Sequence, residues 1–87
     1  MQMQSSKLKA YVSVTVRFSS LGELTPLNIE WEDGRTYEID EVMNVCRAAS
    51  IRAGGAGIRY TVRIGRTITY LFLEEYKWFV ERRNLVD

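Results

Sequence analysis

Between residues 42 and 73 the chain carries Arg47, Arg52, Arg59, Arg63 and Arg66 and no acid. A guanidinium presents its donors in a planar fork that matches phosphate oxygens, so an acid-free arginine run suits nucleic acid or another anion. Arg59 and Arg63 fall on one side of an alternating run with Thr61 between them. Arg66 lies at the turn of that run, and Arg52 lies across a glycine-rich stretch. Arg52, Arg59, Arg63 and Arg66 are therefore the candidate nucleic-acid or anion-binding residues. Two features oppose this reading. The net charge is only +1, whereas dedicated nucleic-acid domains are strongly basic. The interleaved ring, Tyr60, has the parity of the inward face, so no stacking platform is expected.

The acids give the arginines a second role. Residues 23–41 hold seven acids and one arginine. If that segment lies beside the arginine strand, Glu30 and Glu38 neutralise Arg59 and Arg63 on the outer face, each exposed pair contributing about 0–1 kcal/mol. Alternatively, the acidic and basic faces dock a complementary partner protein.

Further chemistry is sparse. The chain has no histidine, which removes Ser-His-Asp and Cys-His catalysis and histidine-based zinc sites. A single cysteine, Cys46, cannot build a thiolate cage and reads as a buried, inert thiol. Gly54-Gly55-Ala56-Gly57 lacks the Gly-Lys-Ser/Thr ending of a phosphate loop and precedes a strand signal, so it reads as an inter-strand loop. The acids around Glu30, Glu32 and Asp33 do not supply the alternating ligands of a calcium loop. They read as the solvent face of a hairpin. No enzymatic activity and no cofactor or metal is expected.

The elements that position these residues follow from length and pattern. The 87 residues suffice for one compact domain, and 46% apolar with 26% charged residues is a globular balance. The longest purely apolar stretch, Tyr70–Leu73, falls far short of the roughly 20 residues of a membrane span. The polar N-terminus does not read as a signal peptide, and one cysteine suits a reducing compartment, so a cytoplasmic protein without membrane contact is expected. Oligomeric state stays open.

Residues 1–10 read as a flexible tail and 11–87 as a single domain. Tyr11–Phe18 alternates strictly, with Val12, Val14, Val16 and Phe18 on one face. Ser19–Pro26 reads as a connection, with Pro26 suited to the first position of a strand. Leu27–Glu32 and Thr36–Asp40 form the clearest hairpin. A two-residue turn over Asp33-Gly34 would put Trp31 and Tyr37 on opposite faces. A three-residue loop with Gly34 as a left-handed bulge pairs Trp31 with Arg35 and Ile29 with Tyr37, and keeps the large apolar groups together. Residues 40–53 fit either a short helix or a bent strand with a bulge near Glu41, and the bent strand is preferred. Ile58–Ile64, a Gly65-Arg66 turn of type II′, Thr67–Leu73 and Trp78–Val80 complete the strands. Thr67–Leu73 is apolar on both faces near its end, which predicts a central strand.

Five to six sequential strands without a long covering helix must curl to bury their apolar face. The expected fold is all-β: a small, partly open antiparallel barrel of SH3-like type. Its predicted core is Val12, Val14, Val16, Phe18, Leu27, Ile29, Trp31, Tyr37, Ile39, Ile58, Tyr60, Val62, Ile64 and Trp78. The Trp31-x-Asp33-Gly34-Arg35-x-Tyr37 hairpin, the Gly57-x-Arg59-Tyr60-x-Val62 run and the Trp78-Phe79-Val80-Glu81 ending resemble a family of small bacterial proteins of unknown function. The likeness covers roughly residues 11–82. It implies a compact β-rich domain and carries no site residue, cofactor or substrate.

Overall fold

A computed structural model describes residues 9–47 and 57–81. They form eight strands and no helix: β1 Lys9–Tyr11, β2 Ser13–Phe18, β3 Leu24–Glu30, β4 Thr36–Glu38, β5 Glu41–Arg47, β6 Ile58–Ile64, β7 Thr67–Glu74 and β8 Lys77–Glu81. All pairings are antiparallel. One sheet has the order β1-β8-β7-β6-β5 and the other β2-β3-β4. The all-β expectation holds, and the described residues lie in two sheets, not in a closed barrel. Two of the six expected strands are each divided where the chain passes from one sheet to the other. The first passage is at Val12, whose N–H donates to the Trp78 carbonyl at 3.1 Å. The second is at Ile39–Asp40, whose N–H groups donate to Leu27 in one sheet and Arg63 in the other, at 2.9 and 2.8 Å.

Lys9 and Ala10, expected in the tail, belong to the first strand, and residues 1–8 lie outside the described residues. The expected connection Ser19–Pro26 also shortens. Ser19 Oγ accepts from the N–H groups of Leu21 and Glu23 at 3.1 and 3.0 Å, closing a compact turn before Leu24. Pro26 is therefore inside β3. It sits at a bulge, where Val16 pairs with Pro26 and Thr15 with Asn28. Leu27 is the extra residue, and the slip turns Pro26 inward and Leu27 outward. The hairpin turn follows the predicted geometry. Trp31 N–H donates to Arg35 at 2.8 Å, Ile29 faces Tyr37, and Gly34 has φ 88°. Residues 41–47 form a strand, not a helix, with a bulge at Met43, close to the expected place near Glu41, and residues 48–53 lie outside the described residues. The Gly65-Arg66 turn links Ile64 to Thr67, and β7 is central, as expected.

The core lies between the sheets, on Ile29, Tyr60, Val62 and Leu71, with Val12, Val14, Ile39, Ile58, Ile64 and Trp78 packed against them. Tyr60 ties the sheets together, its hydroxyl donating to the Leu24 carbonyl at 2.9 Å. Three predicted core residues are exposed. Phe18, at 72%, ends β2 beside the Ser19–Glu23 turn; Leu27 is turned out by the bulge; Tyr37 is on marginal β4. Leu71, Phe79 and Ala10 are buried instead.

Candidate functional site

Alternation along β6 directs Tyr60 and Val62 into the core and Arg59, Thr61 and Arg63 to the outer face of the five-stranded sheet. Register then sets their neighbours. Arg59 lies opposite Phe72 of β7, Phe72 opposite Phe79 of β8, and Phe79 opposite Tyr11 of β1. The result is a row of rings across the sheet. Phe72 and Phe79 stack with centroids 5.1 Å apart and planes at 6°. Tyr11 meets Phe79 edge-on at 5.7 Å, and Tyr70 meets Phe72 edge-on at 6.3 Å. Cations sit over this row. The Arg59 guanidinium is 4.5 Å from the Tyr70 centroid, and Lys9 Nζ is 4.6 Å from that of Phe79. Such contacts each contribute about 0.5–1 kcal/mol when exposed. Phe79, at 2% exposure, is sealed within this outer layer, whereas Tyr11 and Tyr70 keep about half their surface in water.

Of the four candidate arginines, Arg59, Arg63 and Arg66 are among the described residues, and their surroundings differ. Arg63 is held by neighbours: its Nε is 3.5 Å from Glu41 Oε1, and one terminal nitrogen is 3.9 Å from Asp40 Oδ2 and donates to the Gly65 carbonyl at 2.9 Å. Asp40 also accepts from the Gly65 N–H at 2.6 Å, so it braces the turn that carries exposed Arg66. Neutralisation of Arg63 therefore comes from Asp40 and Glu41, not from Glu30 and Glu38. Those two belong to the three-stranded sheet. Arg59 rests on Tyr70, and its buried Nε has no hydrogen-bond partner. Glu74 Oε2, on the same strand as Tyr70 and Phe72, is likewise buried and unpartnered. Arg52 and residues 54–56 lie outside the described residues.

Cys46, expected to be buried, is half-buried on marginal β5, opposite Arg59. Among the described residues no three His, Cys, Asp or Glu side chains gather as metal ligands would. No helix among them is long and apolar enough to cross a membrane.

Tyr60 faces inward, as its parity indicates, and the rings of the outer face are Tyr11, Tyr70, Phe72 and Phe79. The signal in the sequence was β7 itself. Its apolar residues on both faces predict its central place, and Tyr70 and Phe72 alternate there with Leu71 and Leu73. No protein-family model, curated protein or solved structure matches this chain.

Proposed function

We propose that this protein is a small binding module, without a reaction of its own, that holds single-stranded nucleic acid across the outer face of the five-stranded sheet. The observation that carries this reading is the ring row from Tyr70 to Tyr11 with Arg59 and Lys9 seated on it. Bases stack on exposed rings whatever their identity, and cations track the phosphates between them. Tyr70 and Tyr11 are the exposed rings, and the Arg59 guanidinium lies over Tyr70. Arg66, exposed at the turn that Asp40 braces, adds positive charge at the end of β6. The two passages between sheets support reading the fold as a partly open barrel of SH3-like type, a form in which one face is left for a ligand. The single cysteine supports a cytoplasmic setting. An adaptor that uses whole acidic and basic faces is less favoured, because Arg63 is already occupied by Asp40 and Glu41.

The test is fluorescence anisotropy of labelled oligothymidine, oligouridine and duplex DNA of about 12 nucleotides, within the usual site-size range. Both single strands should bind at low salt and weaken as salt rises. Tyr70→Ala and Arg59→Ala should each weaken binding roughly fivefold or more, in line with about 1–3 kcal/mol per stacked base. Arg63→Ala should matter less. Absence of binding at low salt, or indifference to Tyr70→Ala and Arg59→Ala, would overturn the reading.

A further inference from the structure

The strands at the sheet edges differ in how well they are guarded. β1 and β4 are three residues long, too short to template another strand. β2 shows Ser13, Thr15 and Arg17 on its exposed side. β5 is seven residues long, ends the five-stranded sheet, and carries neither lysine nor proline, the usual guards of an edge.

Register decides which backbone groups of β5 are free. Gly65-Arg66 is a two-residue turn, so the residues it joins, Ile64 and Thr67, exchange hydrogen bonds. Alternation then aims the backbone of Tyr60 and Val62 at β7, and that of Arg59 and Thr61 at β5. Cys46 and Asn44, opposite Arg59 and Thr61, therefore direct their N–H and C=O groups to β6. Val45 and Arg47 direct theirs outward, and no strand among the described residues meets them.

The side chains of this edge add a second observation. Val45 lies opposite Tyr60, on the core side, yet keeps 52% of its surface exposed, and Met43 keeps 47%. Charge is also polarised along β5, which begins with Glu41 and ends with Arg47. Two antiparallel copies therefore set the cationic end of each near the anionic end of the other.

We propose that β5 pairs with β5 of a second copy of this chain, antiparallel about a two-fold axis at Val45, and joins the two five-stranded sheets into one. Val45 exchanges both backbone hydrogen bonds with the partner's Val45, and the apolar surface of the two side chains is buried between them. Asn44 comes opposite the partner's Cys46 as a pair without hydrogen bonds. Arg47 comes opposite the partner's Met43, whose bulge ends the regular pairing. The contact is isologous, so it closes at two copies. Edge pairing covers neither face of the sheet, so this contact stands or falls apart from nucleic-acid binding.

Sedimentation equilibrium of the full chain should show monomer and dimer, with a dissociation constant on the order of 10–100 µM, as suits a small interface. Val45→Pro removes an N–H that β6 does not use, so the variant folds. Val45→Lys sets two ammonium groups face to face. Both should keep the native circular dichroism and associate at least about tenfold more weakly. Disulfides read the register. Pairs without hydrogen bonds bring Cα atoms to about 4.5 Å, within disulfide reach. With oxidised glutathione, Asn44→Cys should therefore form a covalent dimer through the partner's Cys46. The native chain should not, because Cys46 stands apart from its counterpart. A native chain that stays monomeric at about 500 µM would overturn the proposal. So would association unchanged by both Val45 variants, assemblies larger than a dimer, or cross-linking of the native chain as fast as that of Asn44→Cys. A strand of another protein as the true occupant would give the first of these outcomes. Oligonucleotide binding plays no part in any of the readouts.

Discussion

Tyr60 joins three roles in one side chain. Its ring is in the core, tilted against Trp78 at 5.5 Å, and its hydroxyl supplies the hydrogen bond from β6 to β3. Tyr60→Phe should keep the packing and lower stability by about 0.5–1.5 kcal/mol in urea denaturation at pH 7. Burial raises the Tyr60 pKa above its ordinary value of 10.0. The stability linked to that group is therefore intact below pH 10. It declines as pH climbs from 10 through the folded value, because over that interval only the unfolded chain sheds the proton. Denaturation at pH 7 and just above pH 10 should show a steeper alkaline loss for the native chain than for Tyr60→Phe. Asp40 is the second pivotal residue. Asp40→Ala removes the carboxylate that holds the Gly65 N–H and faces Arg63. A loss of about 1 kcal/mol is expected, since the group is half exposed.

At the scale of elements, the bulges and turns carry the most information. The bulge in β3 makes neighbouring apolar residues unequal. Ile29→Ala, in the core at 3% exposure, should cost about 2–5 kcal/mol. Leu27→Ser, on the solvent side, should cost no more than about 0.5 kcal/mol in the same assay. A comparable loss for the two would mean that the slip at Thr15–Val16 is not present in solution. The Glu75-Tyr76 turn works in the opposite direction, since both residues are left-handed, with φ 54° and 64°. E75N/Y76G should raise stability by about 1–2 kcal/mol, seen as a higher melting temperature.

For the whole molecule, a small β domain has little stability to spare, about 5–15 kcal/mol in total. Val62 and Leu71 are fully buried between the sheets. Leu71→Ala should cost about 2–5 kcal/mol, a large part of that total, seen as a lower urea midpoint. The sheets are joined by the two passages at Val12 and Ile39–Asp40 and by the Tyr60–Leu24 bond. They should therefore melt as one. Trp31, beside the three-stranded sheet, and Trp78, in the five-stranded one, allow this to be followed with single-tryptophan variants. Two separated transitions would show the sheets to be independent.

The strands and their turns were legible in the residues because pleat alternation is local. Each residue's side is opposite that of the residue before it, and Gly34 and Gly65 mark where the backbone must enter the left-handed region. This is why the Trp31–Arg35 loop, the two faces of β6 and the central place of β7 could be derived before any pairing was known. The neighbours across the sheets could not. Leu27 and Met43 interrupt the alternation through register between strands, and no single strand records its register. The same limit hid the ring row, since Phe72 meets Phe79, and Phe79 meets Tyr11, only through pairing of β7, β8 and β1. It also gave Arg63 to Asp40 and Glu41, because the chain changes sheets just before Glu41 and leaves Glu30 and Glu38 behind. Side-chain direction is a property of adjacent peptides, whereas proximity across a sheet is chosen by the free energy of the entire chain.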